Sequence, residues 1–341
     1  MATLININDK DMNYQEFVGI DVSKSVIDVV LYSRKAHVQL SNNKQGFRKL
    51  IEWLKKHITC SMDEILFVFE HTGIYSLWLS LFLEESKFDF SMVPGLAIKR
   101  SMGIVRGKSD KVDALRIAEY AYEKKDKLKL YQMPSKTILV LKRMLSYRER
   151  LVKERAAFQV RSKEYKTFLV EEENQTLFES HVRMIENLNK EIELIEKELY
   201  RLIKEDEEFA RQYKLINTIK GVGPQTAMMM IVLTKGFTCF PNWRKFASYA
   251  GIAPFPNESG TIIKRHKISH LANKRIKALL SCCASSSIQH NPEMRMYYQG
   301  RIGQGKNEMS TLNIIRNKLL ARIFAVVQRD TPYVDTLKYV A

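Results

Sequence analysis

Four carboxylates stand out by where they sit. Asp21 falls inside G-I-D-V-S-K, between Ile20 and Val22 in an otherwise apolar run, where an ionised side chain is costly unless something compensates it. Glu70 closes the apolar run I-L-F-V-F-E, and Asp110 and Asp113, in S-D-K-V-D-A, stand three apart. That spacing puts the last two on one helix face, able to converge on one point. Carboxylate oxygens are what hard divalent cations take, and two such ions roughly 4 Å apart can activate a nucleophile and stabilise a leaving oxygen in phosphoryl transfer. Each acid also has a plain reading: a strand-end acid can be a solvated edge, and Asp110 a helix cap. The elements that carry them decide between the two.

Residues 17–33, F-V-G-I-D-V-S-K-S-V-I-D-V-V-L-Y-S, are apolar on both sides of a break at Ser23, Lys24 and Ser25, which predicts a β-hairpin, with a third strand near His37–Leu40. Gly46–His57 carries Phe47, Leu50, Ile51 and Leu54 at helical spacing, and Ile65–Glu70 then reads as a short buried strand. A helix over Tyr75–Glu85, a strand over Phe88–Val93 closed by Pro94 and Gly95, and a helix over Asp110–Lys124 complete the segment. A hairpin-led meander followed by βα units is the order of an α/β ribonuclease H-like (RuvC-like) domain, placed here at residues 1–130; the glycine fingerprint of a dinucleotide-binding domain is absent. In that arrangement the first strand, the later parallel strand and the final helix meet, so Asp21, Glu70, Asp110 and Asp113 should form one cluster that binds Mg²⁺ or Mn²⁺.

Between Ile138 and Glu208 there is neither proline nor glycine. Ile185, Leu188, Ile192, Ile195, Leu199 and Leu202 follow the 3-4 spacing of a coiled coil, and Met144, Leu151, Phe158 and Tyr165 recur every seven residues. Residues 131–208 therefore read as a helical coiled-coil linker. Either two antiparallel helices reverse around Glu171–Gln175, or one interrupted helix serves dimerisation. Residues 209–341 form the third part, expected to be mainly helical. Within it L-I-N-T-I-K-G-V-G-P-Q-T-A resembles a helix-hairpin-helix, whose Gly221 and Gly223 would bring backbone N–H groups to a helix start suited to a phosphate; an ordinary turn is the alternative.

The net charge of +17 is uneven: residues 209–341 hold 20 Lys and Arg against 5 Asp and Glu. A cationic globular region of this kind faces phosphate, so nucleic acid is the expected partner, against the alternative of a merely solubilising surface. No run is long and apolar enough for a membrane helix, and the N-terminal residues lack a signal-peptide pattern, so the expected location is the cytoplasm. Cys60, Cys239, Cys282 and Cys283 have no metal-finger spacing and are expected to be free thiols, mostly buried. His266 and His270 lie four apart without a cysteine pair, and read as phosphate-facing or solvated rather than as zinc ligands.

G-I-D-V-S-K, F-E-H-T-G-I-Y and K-S-D-K-V-D-A resemble, in order, the three N-terminal signatures of the DEDD transposases of bacterial insertion sequences, relatives of the pilin-gene invertases. I-K-G-V-G-P-Q-T-A, F-P-N-W-R-K-F-A-S-Y-A-G-I-A-P-F-P-N-E-S-G and K-I-S-H-L-A-N-K-R-I-K resemble that family's second domain. The resemblance implies a RuvC-like domain with four metal-binding acids, a coiled-coil linker, and a helical transposase domain over 209–341 bearing a nucleophilic serine after a G-x-A-P motif. Here that motif is Gly251–Pro254 and the matching serine is Ser259, before Gly260; without the resemblance Ser259 is a loop serine. It further implies a covalent phosphoserine intermediate, a structured guide RNA that chooses the DNA by base pairing, and work on DNA at the nucleoid; the coiled coil and the need to cut two DNA duplexes lead to the expectation of a homo-oligomer (dimer or tetramer). Lys264, Arg265, Lys267, Lys274 and Arg275, just beyond Ser259, are candidates for holding DNA or RNA. One departure is Ala272, where the family commonly has glycine before the asparagine. The alternatives are a hydrolytic RuvC-like nuclease of the Holliday-junction-resolvase type, with no covalent intermediate, and a non-catalytic nucleic-acid-binding protein.

Overall fold

A computed structural model describes residues 13–101, 109–259, 262–269 and 271–335. The chain divides into two compact units, Met1–Met133 and Pro134–Ala341.

The first unit is built on one five-stranded sheet of order β3-β2-β1-β4-β5. Strands β1 (Glu16–Val22), β2 (Val26–Leu31) and β3 (His37–Ser41) form an antiparallel meander, and helix α1 (Lys44–His57) then crosses to β4 (Ile65–Glu70). Helix α2 (Tyr75–Glu85) leads on to β5 (Phe90–Val93), and β4 and β5 run parallel to β1. Helices α3 (Gly95–Ser101) and α4 (Asp110–Glu123) follow. Ile65 to Phe69 are all buried because β4 is covered on both faces, as a central parallel strand requires. The β1–β2 turn is fixed by Ser23, whose Oγ donates to the Val26 carbonyl at 2.8 Å. On the face that α4 covers, Phe17, Leu66 and Val68 pack in one apolar cluster with Ile117 and Ala121 of α4. Gly19 lies in β1 on that same face, two residues before Asp21. A methyl group there would overlap the Ala114 carbonyl oxygen and the Ala118 backbone nitrogen, so glycine lets α4 lie directly on the strand.

The second unit opens with α5 (Lys136–Phe168) and α6 (Gln175–Glu205), two long helices reversed over residues 169–174. Arg148 bonds Glu196 at 2.6 Å, Arg155 bonds Asn189 at 2.8 Å, and Tyr165 meets His181 edge-on at 5.1 Å, an antiparallel register. The chain thus takes the hairpin rather than the single interrupted helix. Helices α7 (Glu207–Asn217), α8 (Pro224–Thr234) and α9 (Trp243–Tyr249) precede a β-hairpin of β6 (Pro254–Ser259) and β7 (Ile262–Ile268), and α10 (Lys274–His290), α11 (Pro292–Gly303) and α12 (Glu308–Arg329) finish the unit. Helix α8 is buried almost all round, and Leu141, Leu145, Leu199 and Ile203 from the base of the α5–α6 hairpin join its apolar cluster.

Two expectations need correction. Ser259 closes a strand instead of standing in a loop, because β-branched Ile262, Ile263 and Ile268 favour β7 and a bulge between Phe255 and Asn257 accommodates Pro256, which has no N–H to give the ladder. The thiols are free, but Cys239 and Cys282 are exposed and only Cys283 is fully buried. Among the described residues no helix is long and apolar enough to cross a membrane.

Candidate active site

The parallel register of β1 and β4 pairs Ile20 with Phe69. One residue on, Asp21 and Glu70 stand side by side at the C-terminal ends of adjacent strands, where open α/β sheets place their ligands. Alternation gives both acids the face on which Gly19 and Val68 meet α4. Asp110 and Asp113 occupy the first turn of α4. The cap of that helix is Ser109, whose Oγ accepts from the Val112 N–H at 3.3 Å, so Asp110 is not spent on capping. Asp113 holds Arg116 at 2.8 Å.

Asp21 feels the other acids around it. Half-burial pushes the Asp21 carboxyl up to about 6, and the charges of Asp113, Asp110, Asp28 and Glu70 add to the shift in that order. Among the described residues no three His, Cys, Asp or Glu side chains are gathered tightly enough to hold a metal ion as they stand, so the acids are neighbours and not a closed cage. Their fit to a hard divalent cation rests on the donor set, which is all oxygen, and on a mutual repulsion that a cation would relieve.

Three features escaped the sequence reading. Asp28 is the direct cross-strand partner of Asp21 and is 3% exposed, its carboxylate held by His37 Nε2 at 2.8 Å and Gln39 Nε2 at 3.0 Å from β3. The signal was present, since V-I-D-V-V-L buries an acid in an apolar strand just as G-I-D-V does. Gly95 is the second: a Cβ there would overlap the Glu70 carboxyl, so glycine at the start of α3 makes room for the acid. The third is Asn42, whose Nδ2 donates to the Ser23 carbonyl at 2.8 Å and the Tyr75 carbonyl at 3.1 Å, tying the turn after Asp21 to the helix that follows Glu70.

In the second unit Ser259 pairs with Ile262 at the end of the β6–β7 hairpin. The side chains of Ser259, Lys264, Arg265, His266 and Lys267 lie outside what is described, as does His270 altogether. The residues that hold the hairpin's base are described. Asn273 caps α10, and its Nδ2 donates to the Tyr249 hydroxyl at 2.8 Å. Asn313 and Asn317 of α12 both donate to the Ile252 carbonyl, at 2.9 and 3.0 Å. Gly251, at φ +65°, leaves no room for a Cβ beside that of Ala272, so the alanine that departs from the family pattern packs on a glycine. Lys274 is exposed, whereas Arg275 is tied to Glu149 at 2.7 Å and to the Leu145 carbonyl of α5. Gly221, at φ +91°, is pressed against Ser287, and Gly223 caps α8 with open space where a side chain would be.

A family model of DEDD-type IS110 transposases matches residues 18–166, and the model of the IS116/IS110/IS902 family of transposases matches residues 213–299. The first match contains all four acids; the second contains the G-V-G turn and Ser259. The chain belongs to the IS110-type transposases. It is similar to the pilin gene-inverting proteins of Moraxella bovis and Moraxella lacunata, each 26% identical over 328 residues, which cover 93% of this chain and 97% of theirs. An uncharacterised 43.6 kDa protein of insertion element IS110 from Streptomyces coelicolor is 29% identical over 119 residues, 35% of this transposase.

Proposed function

We propose that this transposase cuts and rejoins DNA through Ser259, with Mg²⁺ or Mn²⁺ held by Asp21, Glu70, Asp110 and Asp113 in a RuvC-like, ribonuclease H-type domain. The observation that supports the reading is that Glu70, at the end of the parallel strand beside β1, and Asp110 and Asp113, in the first turn of α4, all lie close enough to Asp21 to raise its pKa. When bound, the divalent ion neutralises that cluster and polarises the scissile phosphate. The residues of the chain do the rest. Asp28, fixed by His37 and Gln39, holds β1 and β2 in register beside Asp21; Gly95 seats Glu70; and Ser109 keeps Asp110 at the start of α4. Ser259 Oγ attacks phosphorus: the Oγ–P bond forms as the bond from phosphorus to one strand end breaks, and the serine proton ends on the departing oxygen. A hydroxyl from another strand end reverses the exchange, so the bond energy is kept for rejoining. Water attacking in place of serine would make the protein a hydrolytic nuclease.

The supporting parts follow the same reading. Residues 1–130 act as the catalytic domain, 131–208 as a coiled-coil linker that assembles a dimer or tetramer, and 209–341 as the serine-bearing domain with a helix-hairpin-helix around Gly221 and Gly223. The net positive charge beyond residue 209 suits DNA and a structured guide RNA, with Lys264, Arg265, Lys267 and Lys274 facing phosphates, in the bacterial cytoplasm. The test is a denaturing gel of protein, co-expressed RNA and labelled element-end DNA in Mg²⁺. A covalent protein–DNA adduct in the wild type that is lost in Ser259→Ala and in Asp21→Asn is the expected result. Cleavage that survives Ser259→Ala without an adduct overturns the serine mechanism in favour of hydrolysis.

A further inference from the structure

The junction of α6, α7 and α8 forms an open recess of about 430 Å³, lined by Tyr200 and Tyr213 together with Lys204, Lys214 and Pro224. That volume lies within the ~300–1,000 Å³ of small-ligand sites. The two rings meet edge to face at 5.7 Å, and buried Ile203 backs the recess. The basic residues of this stretch divide cleanly. Lys197 pairs with Glu193, Arg201 with Glu198 and Glu205, Arg211 with Glu208 and Asp330, and Lys220 with Asp335. The two that line the recess, Lys204 and Lys214, have no carboxylate partner among the described residues, although glutamates stand on the same helices; Lys204 instead lies over the Tyr200 ring at 4.5 Å. Burial, and then Tyr200, push the Tyr213 phenol above its ordinary value, so it stays neutral. Pro224 is the first residue of α8, whose N-terminal end adds positive potential at the same rim.

Aromatic walls beside unpaired cations are what an unstacked base and its phosphate require. We propose that this recess takes one unpaired nucleotide of a nucleic-acid strand, the flexible Lys204 side chain leaving the Tyr200 ring so that the base lies against Tyr200 and Tyr213 and the phosphate between Lys204 and Lys214. The inference rests on the reading of the chain as a nucleic-acid-processing enzyme and adds a single-strand contact remote in sequence from the acids and Ser259. A duplex, whose bases are stacked and paired, offers the recess nothing.

The test is fluorescence anisotropy on the full chain with three labelled probes: oligouridylate RNA, oligothymidylate DNA of equal length, and blunt duplex DNA. Tyr200 is exposed, so Tyr200→Ala should fold, and Tyr200→Phe keeps the ring. The expected result is a loss of about ten-fold for single strands in Tyr200→Ala, the scale of one stacked base. Duplex binding should stay unchanged and Tyr200→Phe should bind as the wild type. The single strand that loses more identifies RNA or DNA as the source. Replacing both Lys204 and Lys214 by Gln should weaken single-strand binding and lower its salt slope by about 0.7, one phosphate's worth. Wild-type affinity in Tyr200→Ala, or equal losses on single strands and duplex, overturns the proposal. Because the readout is binding, it can fail while the adduct experiment succeeds, and the reverse.

Discussion

The two units handle charge in opposite ways. In the first, Asp21, Glu70, Asp110 and Asp113 are drawn together with Asp28 beside them, and the chain accepts enough repulsion to lift the Asp21 carboxyl to about 6. In the second, the long helices neutralise themselves: Lys153 pairs with Glu149, Lys197 with Glu193 and Arg201 with Glu198 one turn apart. Exposed pairs of that kind contribute little individually, and their worth here is solubility of a long helical arm. On the proposed reading, a cation would resolve the repulsion that the first unit keeps around Asp21. Charges left unresolved therefore point to sites better than charges in abundance.

If that contrast is right, damage to the acidic cluster should cost activity, whereas damage to the paired helices should not. The largest effect is expected from Glu70→Gln or Asp113→Asn, which should lower adduct formation about a thousand-fold, the scale for loss of one transition-state-stabilising group. A quantified gel time course checks it, with Glu193→Gln on α6 as the control that stays at the wild-type rate.

Gly95→Ala comes next. It changes no charge, but its methyl overlaps the Glu70 carboxyl and must displace it. A displacement of about 1 Å at a reacting centre costs on the order of a hundred-fold, so the adduct rate should fall by that much while circular dichroism and unit stability stay near wild type. An unchanged rate would mean that Glu70 has no fixed post.

Asp28→Asn and His37→Ala should cost about ten-fold each, in the range of outer residues that orient ligating groups. The double variant should cost little more than either single one, since both act through the same 2.8 Å bond. Additive losses would separate Asp28 from His37 and make the two independent.

How much of this was legible depended on whether a residue's meaning lay in its own run. The meander, the βα order and the four acids could be read because period-2 and period-3.6 patterns are local, and α4 begins at Asp110 as expected. Asp28 carried the same local signal as Asp21 and was passed over because only cross-strand register, Asp21 opposite Asp28, gives it a role. Gly95 and Gly19 were unreadable as site residues: their meaning is a missing methyl opposite the Glu70 carboxyl and the backbone of α4, which no sequence window contains. The β6–β7 hairpin was missed because the third part was expected to be mainly helical with Ser259 in a loop, and only the bulge that lets Pro256 sit in a strand shows the pairing. Asn313 and Asn317 look like ordinary helix-surface amides until Ile252 arrives from 61 and 65 residues away.

The smallest effect tests the cause of the contrast directly. The folded pKa of Asp21, about 6, lies above its ordinary 3.8, so the folded state binds more protons than the unfolded one between those values and stability falls as pH rises through that window. The penalty is absent below about pH 4 and complete above pH 7. Asn at position 21 cannot ionise, so Asp21→Asn should stabilise the metal-free protein at pH 7.5 by about 1 kcal/mol once solvent screening of a half-exposed group is allowed for, or 2–4 °C in Tm. At pH 5 the gain should shrink to about half, and below about pH 4 it should vanish. Saturating Mg²⁺ should reverse the order, because a ligand that binds only the folded state raises Tm and the variant has one carboxylate fewer to bind it. Melting curves of both proteins at the two pH values, with EDTA and with Mg²⁺, give the answer. A crossing of the two proteins at pH 7.5 means the acids are held together for a cation; a variant that is less stable under every condition means Asp21 belongs to the scaffold.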